Sequence, residues 1–156
     1  MKKLQHAWNI LSGKVPKNRT IILNQIKTPD GTIIKSLHRH DFVQYKDKNG
    51  HVYMVDGGTD YLRRNKIDEA APYTELSIYD DAPFSLIRQY YCRGGRGKNN
   101  DQPLTWVPLE KMSDDWLQAC IEYNDERGLG DSFASAQYKR EVVYRLANKI
   151  TVTDLS

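Results

Sequence analysis

Histidine, aspartate and arginine crowd into residues 38–64, HRHDFVQYKDKNGHVYMVDGGTDYLRR, beside a Gly-Gly pair. His38, His40, Asp41 and Asp56 are the side chains here that could act as acid, base or metal ligands. His38, His40 and Asp56 could hold a divalent metal, with Asp60 as a fourth ligand, since imidazole and carboxylate suit zinc, manganese or iron. The spacing matches no recognised metal signature, and histidines bonded to neighbouring aspartates to orient a loop are the preferred explanation. No metal and no cofactor are expected. Asp56-Gly57-Gly58-Thr59-Asp60, followed by Arg63 and Arg64, has the composition of a loop where backbone approaches a phosphate. No Gly-Lys-Ser/Thr follows, so it is not a P-loop, and a structural turn capped by its aspartates competes with the ligand reading. Arg96 and Lys98, in Gly94-Gly95-Arg96-Gly97-Lys98, are candidate contacts to a nucleic-acid backbone or simply parts of a solvated loop. There is no serine nucleophile elbow, and neither Cys92 nor Cys120 sits in a catalytic pattern with histidine.

The elements that must position these residues begin with hairpins. FVQYK and HVYMV flank Asp47-Lys48-Asn49-Gly50, a strong hairpin signal. A type I turn with Gly50 as a bulge pairs Tyr45 with Tyr53 and Val43 with Val55, and is preferred over a two-residue Asn-Gly turn because it sets like against like. Extending the first strand backwards puts His38, His40 and Phe42 on one face with Asp56, and Arg39 and Asp41 on the other. Asp41 then lies near Gly57, so residues 39–41 and 56–64 are expected to form one polar cluster. If its charges are buried, Asp41→Ala should cost about 3–5 kcal/mol.

Upstream, RTIILNQIK and TIIKSLHRH flank the turn Thr28-Pro29-Asp30-Gly31. Ile21, Leu23, Ile33 and Leu37 are expected on one face, and Ile22, Ile26 and Ile34 on the other. The second of these strands runs on into the hot stretch, giving a meander over residues 19 to 56. LQHAWNIL reads as a short helix and TELSIY as a strand. Asp80-Asp81-Ala82-Pro83 starts a helix over FSLIRQYYCR that stops at Gly94, followed by a polar loop and the short strand TWVPL. Ser113 caps a helix with Trp116, Cys120 and Tyr123 inward. A last helix follows Asp131, with Tyr138, Val142 and Leu146 as its stripe. The expected fold is α+β: a small antiparallel β-meander sheet followed by two or three packed helices. Residues 1–150 form a single domain, and residues 151–156 a flexible tail.

The net charge of +3 hides an uneven distribution. Residues 1–66 hold thirteen Lys/Arg against five Asp/Glu, and residues 67–156 ten against fifteen. The basic half offers a surface to an anionic partner, while docking of the two halves on each other explains the pattern as well. No apolar run approaches the roughly 20 residues that span a bilayer. The start, MKKLQHAWNILSG, opens like a secretion signal, but Gln5, His6 and Asn9 interrupt it, so a cytoplasmic chain with free thiols is expected.

Lys27-Thr28-Pro29-Asp30-Gly31-Thr32, Arg39-His40-Asp41-Phe42, and Tyr53-Met54-Val55-Asp56-Gly57-Gly58 with Asp60-Tyr61-Leu62-Arg63-Arg64 resemble a family of uncharacterised small proteins encoded mainly by large tailed bacteriophages. The resemblance continues through Asp80-Asp81-Ala82-Pro83-Phe84, Pro108-Leu109, Met112-Ser113-Asp114, Lys139-Arg140-Glu141 and Tyr144-Arg145, roughly residues 20 to 146. Some similar sequences carry paired cysteines resembling a zinc ribbon. This chain has none before Cys92, so it departs from them there. The resemblance implies a phage origin and action in the host cytoplasm, but no settled activity. The function expected is an accessory protein that binds a host or phage macromolecule, for host takeover or counter-defence. A protein is the first expected partner, with nucleic acid or nucleotide the second, and no membrane. The alternative is a nucleotide- or nucleic-acid-processing enzyme using His38, His40, Asp41 and Asp56.

Overall fold

The computed structural model describes residues 19–59, 63–64 and 70–154. The chain divides into two compact units, Met1–Ala82 and Pro83–Ser156. The short helix expected at LQHAWNIL, Asp60 and the last two residues lie outside the described residues. The α+β expectation holds: antiparallel strands in small sheets come first, and three helices follow.

In the first unit, β1 (Ile21–Lys27) is the central strand. It pairs with β2 (Ile33–Ser36) along one edge. Its other edge takes β6 (Thr74–Glu75) and β7 (Ile78–Tyr79), two short strands where one was expected over TELSIY. A second sheet has the order β3-β4-β5, from Val43–Lys46, Val52–Asp56 and Arg63–Arg64. Both hairpin turns use one device. The Gly31 amide donates to Thr28 O (2.9 Å) and Thr28 N to Thr32 O (2.9 Å); Gly50 N donates to Asp47 O (3.1 Å) and Asp47 N to His51 O (3.0 Å). The glycines take φ of +91° and +83°, as a bulge residue requires. The bulged register is therefore the one adopted, with Val43 opposite Val55 and Tyr45 opposite Tyr53. These residues cover one core with Ile26, Ile34 and Ala71. Full burial of each large apolar side chain contributes about 1.5–3 kcal/mol.

Two expectations fail here. Ile33 does not face inward: it pairs with Lys27 and is 53% exposed, because Ile34 and Ser36 take the buried parity of β2. Nor does β2 run on into β3. Residues 37–41 leave the strand and turn, because the Asp41 carboxylate accepts from Leu37 N (2.8 Å) while Asp41 N donates to His38 O (3.0 Å). A local side-chain acceptor has displaced the ladder partner.

The turn of the first hairpin carries a charge effect. The Thr28 hydroxyl, then the Tyr45 hydroxyl (2.5 Å), then the Thr32 amide (3.1 Å) donate to Asp30 and hold its carboxyl far below the usual range. The same bond to Asp30 raises the Tyr45 phenol. A depressed folded pKa contributes stability above the ordinary value of about 3.9, lost as pH falls through the folded value. Tyr45→Phe is expected to move the Asp30 midpoint upward, read from its carboxyl carbon by NMR. An unmoved midpoint would show that the phenol does not hold the carboxylate.

In the second unit, α1 (Phe84–Tyr90) ends earlier than expected. Tyr91 is already extended, and Cys92 opens β8 (Cys92–Gly95). The helix has no side-chain cap; the carboxylate of Asp80 accepts from Thr20 N (3.1 Å) instead. The loop expected after Gly94 is a hairpin: β8 pairs with β9 (Thr105–Pro108), setting Gly94 opposite Trp106 and Gly95 opposite Thr105. A single turn of 3-10 helix, Leu109–Lys111, leads to α2 (Asp114–Glu126), and α3 (Phe133–Asn148) packs on α2. Ser113 caps α2 as expected, accepting from Trp116 N (3.1 Å), and α3 follows Asp131 with Ser132 as its cap, accepting from Ser135 N (3.2 Å). The core gathers Leu109, Met112, Leu117, Cys120, Ile121 and Tyr138. Tyr123 and Leu146, expected inward, are 48% and 76% exposed.

The inward stripe of α3 is instead Tyr138, Glu141 and Arg145. Glu141 is fully buried between two guanidinium groups. Arg88 donates to it through Nε (2.8 Å) and Nη2 (3.0 Å), and Arg145 through Nε (2.8 Å). Arg145 also donates to Asp114 (2.6 Å) and to the carbonyls of Leu109 (2.8 Å) and Met112 (2.7 Å). One buried ion network thus ties α1, the 3-10 turn and the start of α2 to α3. The carboxylate accepts from two cations, so its burial is compensated.

Candidate functional site

Residues 37–41 fold into a turn laid against Gly57-Gly58. The buried hydroxyl of Ser36 joins them: it accepts from Gly58 N (2.9 Å) and donates to Asp41 O (2.6 Å). Gly58 lies so close to the turn that a Cβ there would sit 2.4 Å from the His38 backbone. Asp56 is buried on β4; its carbonyl accepts from Asn24 Nδ2 (2.8 Å), and its Cα partner is Arg63. The structure therefore brings residues 38–41, 56–58 and the backbone of Arg63 and Arg64 into one region. The side chains of both arginines lie outside the described residues.

Within this region the side chains build the turn. Asp41 is half-buried and bonds to Leu37 N, and His38 Nδ1 accepts from His40 N (3.2 Å). Arg39 and His40 are exposed. Because β3 starts only at Val43, the strand face that would align His38 and His40 with Asp56 does not form. No group of three His, Cys, Asp or Glu among the described residues is arranged to hold a metal ion. Sequence reading missed Ser36 and Asn24, small polar residues whose role depends on long-range pairing.

Asp41→Ala is expected to cost about 1–2 kcal/mol, less than the loss of a fully buried charge, because one half-buried backbone bond is lost. Asp41→Asn, which keeps an acceptor, should recover most of it. Urea unfolding of both variants decides, and equal losses would show that charge rather than the acceptor matters.

The second unit contains a concave surface that the sequence showed only in part. A cleft of about 820 Å³ opens between the β8–β9 hairpin, the 3-10 turn, the start of α2 and residues 152–154. Arg93, Arg96, Lys98 and Lys111 bring cations to it, and Asp115 and Asp154 carboxylates. Arg93 is held in the wall, donating to the Tyr138 hydroxyl (3.0 Å). Arg96, Lys98 and Lys111 are exposed. Trp116 is half-buried: it lines the cleft and packs on the helical core. Gly95 permits this, since a Cβ there would meet the Trp116 ring at 2.9 Å. Val152 closes one end by accepting from Asp114 N (2.8 Å). Arg96 and Lys98 were legible as candidates. Lys111 and Trp116 were not, because only the fold carries them to the hairpin.

Cys92 and Cys120 are not joined in a disulfide, and burial raises the Cys120 thiol, which leaves it a poor nucleophile at neutral pH. No helix among the described residues is long and apolar enough to cross a membrane. Comparison of the chain with protein-family models, with curated proteins and with solved structures finds no match.

Proposed function

We propose that this chain is a binding module that recognises a host or phage macromolecule in the cytoplasm of an infected bacterium. The cleft of Pro83–Ser156 is its binding site. The observation that carries the binding reading is the set of cations at one concave surface. Residues 83–156 hold ten Lys/Arg and ten Asp/Glu, so this unit is formally neutral. Its cleft is nevertheless lined by four cations and two carboxylates. A net excess of positive charge in a concavity raises the encounter rate with an oppositely charged partner. The phage origin rests on the Arg39-His40-Asp41-Phe42 and Val55-Asp56-Gly57-Gly58 resemblance. Host takeover or counter-defence is the use that this origin suggests.

The basic N-terminal half is a weaker support for an anionic partner. The compact unit that contains it extends to Ala82, and over residues 1–82 thirteen Lys/Arg face ten Asp/Glu, a net +3. The test is affinity capture from bacterial lysate with the native chain and with Arg96→Glu/Lys98→Glu. A protein or nucleic acid retained by the first and lost from the second is expected. Nothing retained, or the same material retained by both, overturns the assignment of the cleft.

A further inference from the structure

The geometry points to an unpaired nucleic-acid strand as the occupant of this cleft, with one base on Trp116 and the adjoining phosphates on Arg96, Lys98 and Lys111. The inference rests on the binding-module reading and names the chemistry of its ligand. Its first support is the pairing of an aromatic ring with cations at one site. A phosphate alone needs only the cations, and an acidic peptide offers carboxylates but no planar face for the ring. A nucleotide unit presents both a π-face and a charge.

The second support is the way Trp116 is held. Its ring rests on the bare backbone of Gly95 at one edge and on the helical core at another, while still lining the cleft. A ring fixed in advance loses little freedom when a base stacks on it. The three exposed cations stand on two elements, Arg96 and Lys98 at the hairpin tip and Lys111 on the 3-10 turn, so they can follow a strand rather than grip a single group. A duplex is disfavoured because its bases are stacked inside it and offer Trp116 no face. The cleft volume of about 820 Å³ lies within the range, about 300–1,000 Å³, of small-molecule and cofactor pockets.

The experiment is fluorescence anisotropy of the full chain with a labelled oligodeoxythymidylate of about 12 nucleotides, a length in the range that single-strand sites occupy. Affinity is expected to fall with salt at a log–log slope near −2, from three phosphate contacts at about −0.7 each. Trp116→Leu should weaken binding on the order of tenfold or more, and Trp116→Phe, which keeps a stacking face, should restore most of it. Arg96→Ala/Lys98→Ala should flatten the salt slope by about 1.4. Circular dichroism of each variant checks that it is folded. Equal binding by the native chain and folded Trp116→Leu overturns the inference. So does equal competition by duplex, by polyglutamate or by a mononucleotide. If the oligonucleotide does not bind but lysate capture of a protein still depends on Arg96 and Lys98, the ligand assignment is wrong and the binding-module reading stands. If both fail, that reading falls as well.

Discussion

Glu141→Leu is expected to destabilise the C-terminal unit by about 3–5 kcal/mol, the cost of leaving buried charges without their partner. Glu141 is fully buried, and it is the shared acceptor of Arg88 and Arg145. Removing it leaves Arg145, 4% exposed, with Asp114 and two backbone carbonyls as acceptors but no internal carboxylate. Arg88 keeps only the longer contact to Glu110 (3.4 Å) and its position over the Tyr144 ring. Replacing all three charges with apolar residues, as in Arg88→Met/Glu141→Leu/Arg145→Met, should be less harmful than the single change, because no uncompensated charge then remains. It should not recover everything, since the Leu109 and Met112 carbonyls lose their donors. Urea denaturation of the single and triple variants measures both. A single variant within 1 kcal/mol of native would show that the network carries no net stability (about the size of an exposed pair).

The second large effect is expected at Gly58. Its φ is +52°, and a Cβ built there meets three backbone atoms of His38 at 2.4–2.5 Å. A side-chain tip can rotate away from such a contact, but backbone cannot. Gly58→Ala therefore combines a left-handed conformation at about 1–2 kcal/mol with overpacking at about 1–3 kcal/mol. The expected loss is about 2–5 kcal/mol, in the N-terminal unit. Gly50→Ala is the control: it has φ +83° but nothing within 4 Å, so only the conformational part applies. Equal losses at the two positions would mean that the turn at His38 gives way and the close approach is not structural.

These two positions also mark where sequence reading succeeds and where it stops. The hairpins were legible because their information is local. Asn49-Gly50 and Pro29-Asp30-Gly31 specify turns, and the alternation around Tyr45 and Tyr53 specifies a register. The helix cap at Ser113 was legible for the same reason. Gly58 was visible as part of a Gly-Gly pair, but its neighbour His38 was not. On α3 the apolar spacing places Tyr138 and Val142 against the core but fails at Leu146, and it does not reveal that Glu141 and Arg145 are buried. Glu141 and Arg145 show the i, i+4 pattern of a surface ion pair. Their burial is compensated by Arg88, 53 residues away along the chain. The cleft was half legible: Arg96 and Lys98 stood out by composition, while Trp116 looked like an ordinary core residue of α2. Only the pairing of β8 with β9, which lays Gly95 beside that ring, makes it part of a site.

The measurement that tests the cleft most directly is residue-resolved NMR of the 15N-labelled chain titrated with oligodeoxythymidylate. Binding is predicted to shift the amides of residues 93–98 and 111–116 and the indole N–H of Trp116, with those of 33–58 unmoved. Shifts confined to residues 33–58, or saturable binding that leaves the Trp116 indole in place, would contradict the account.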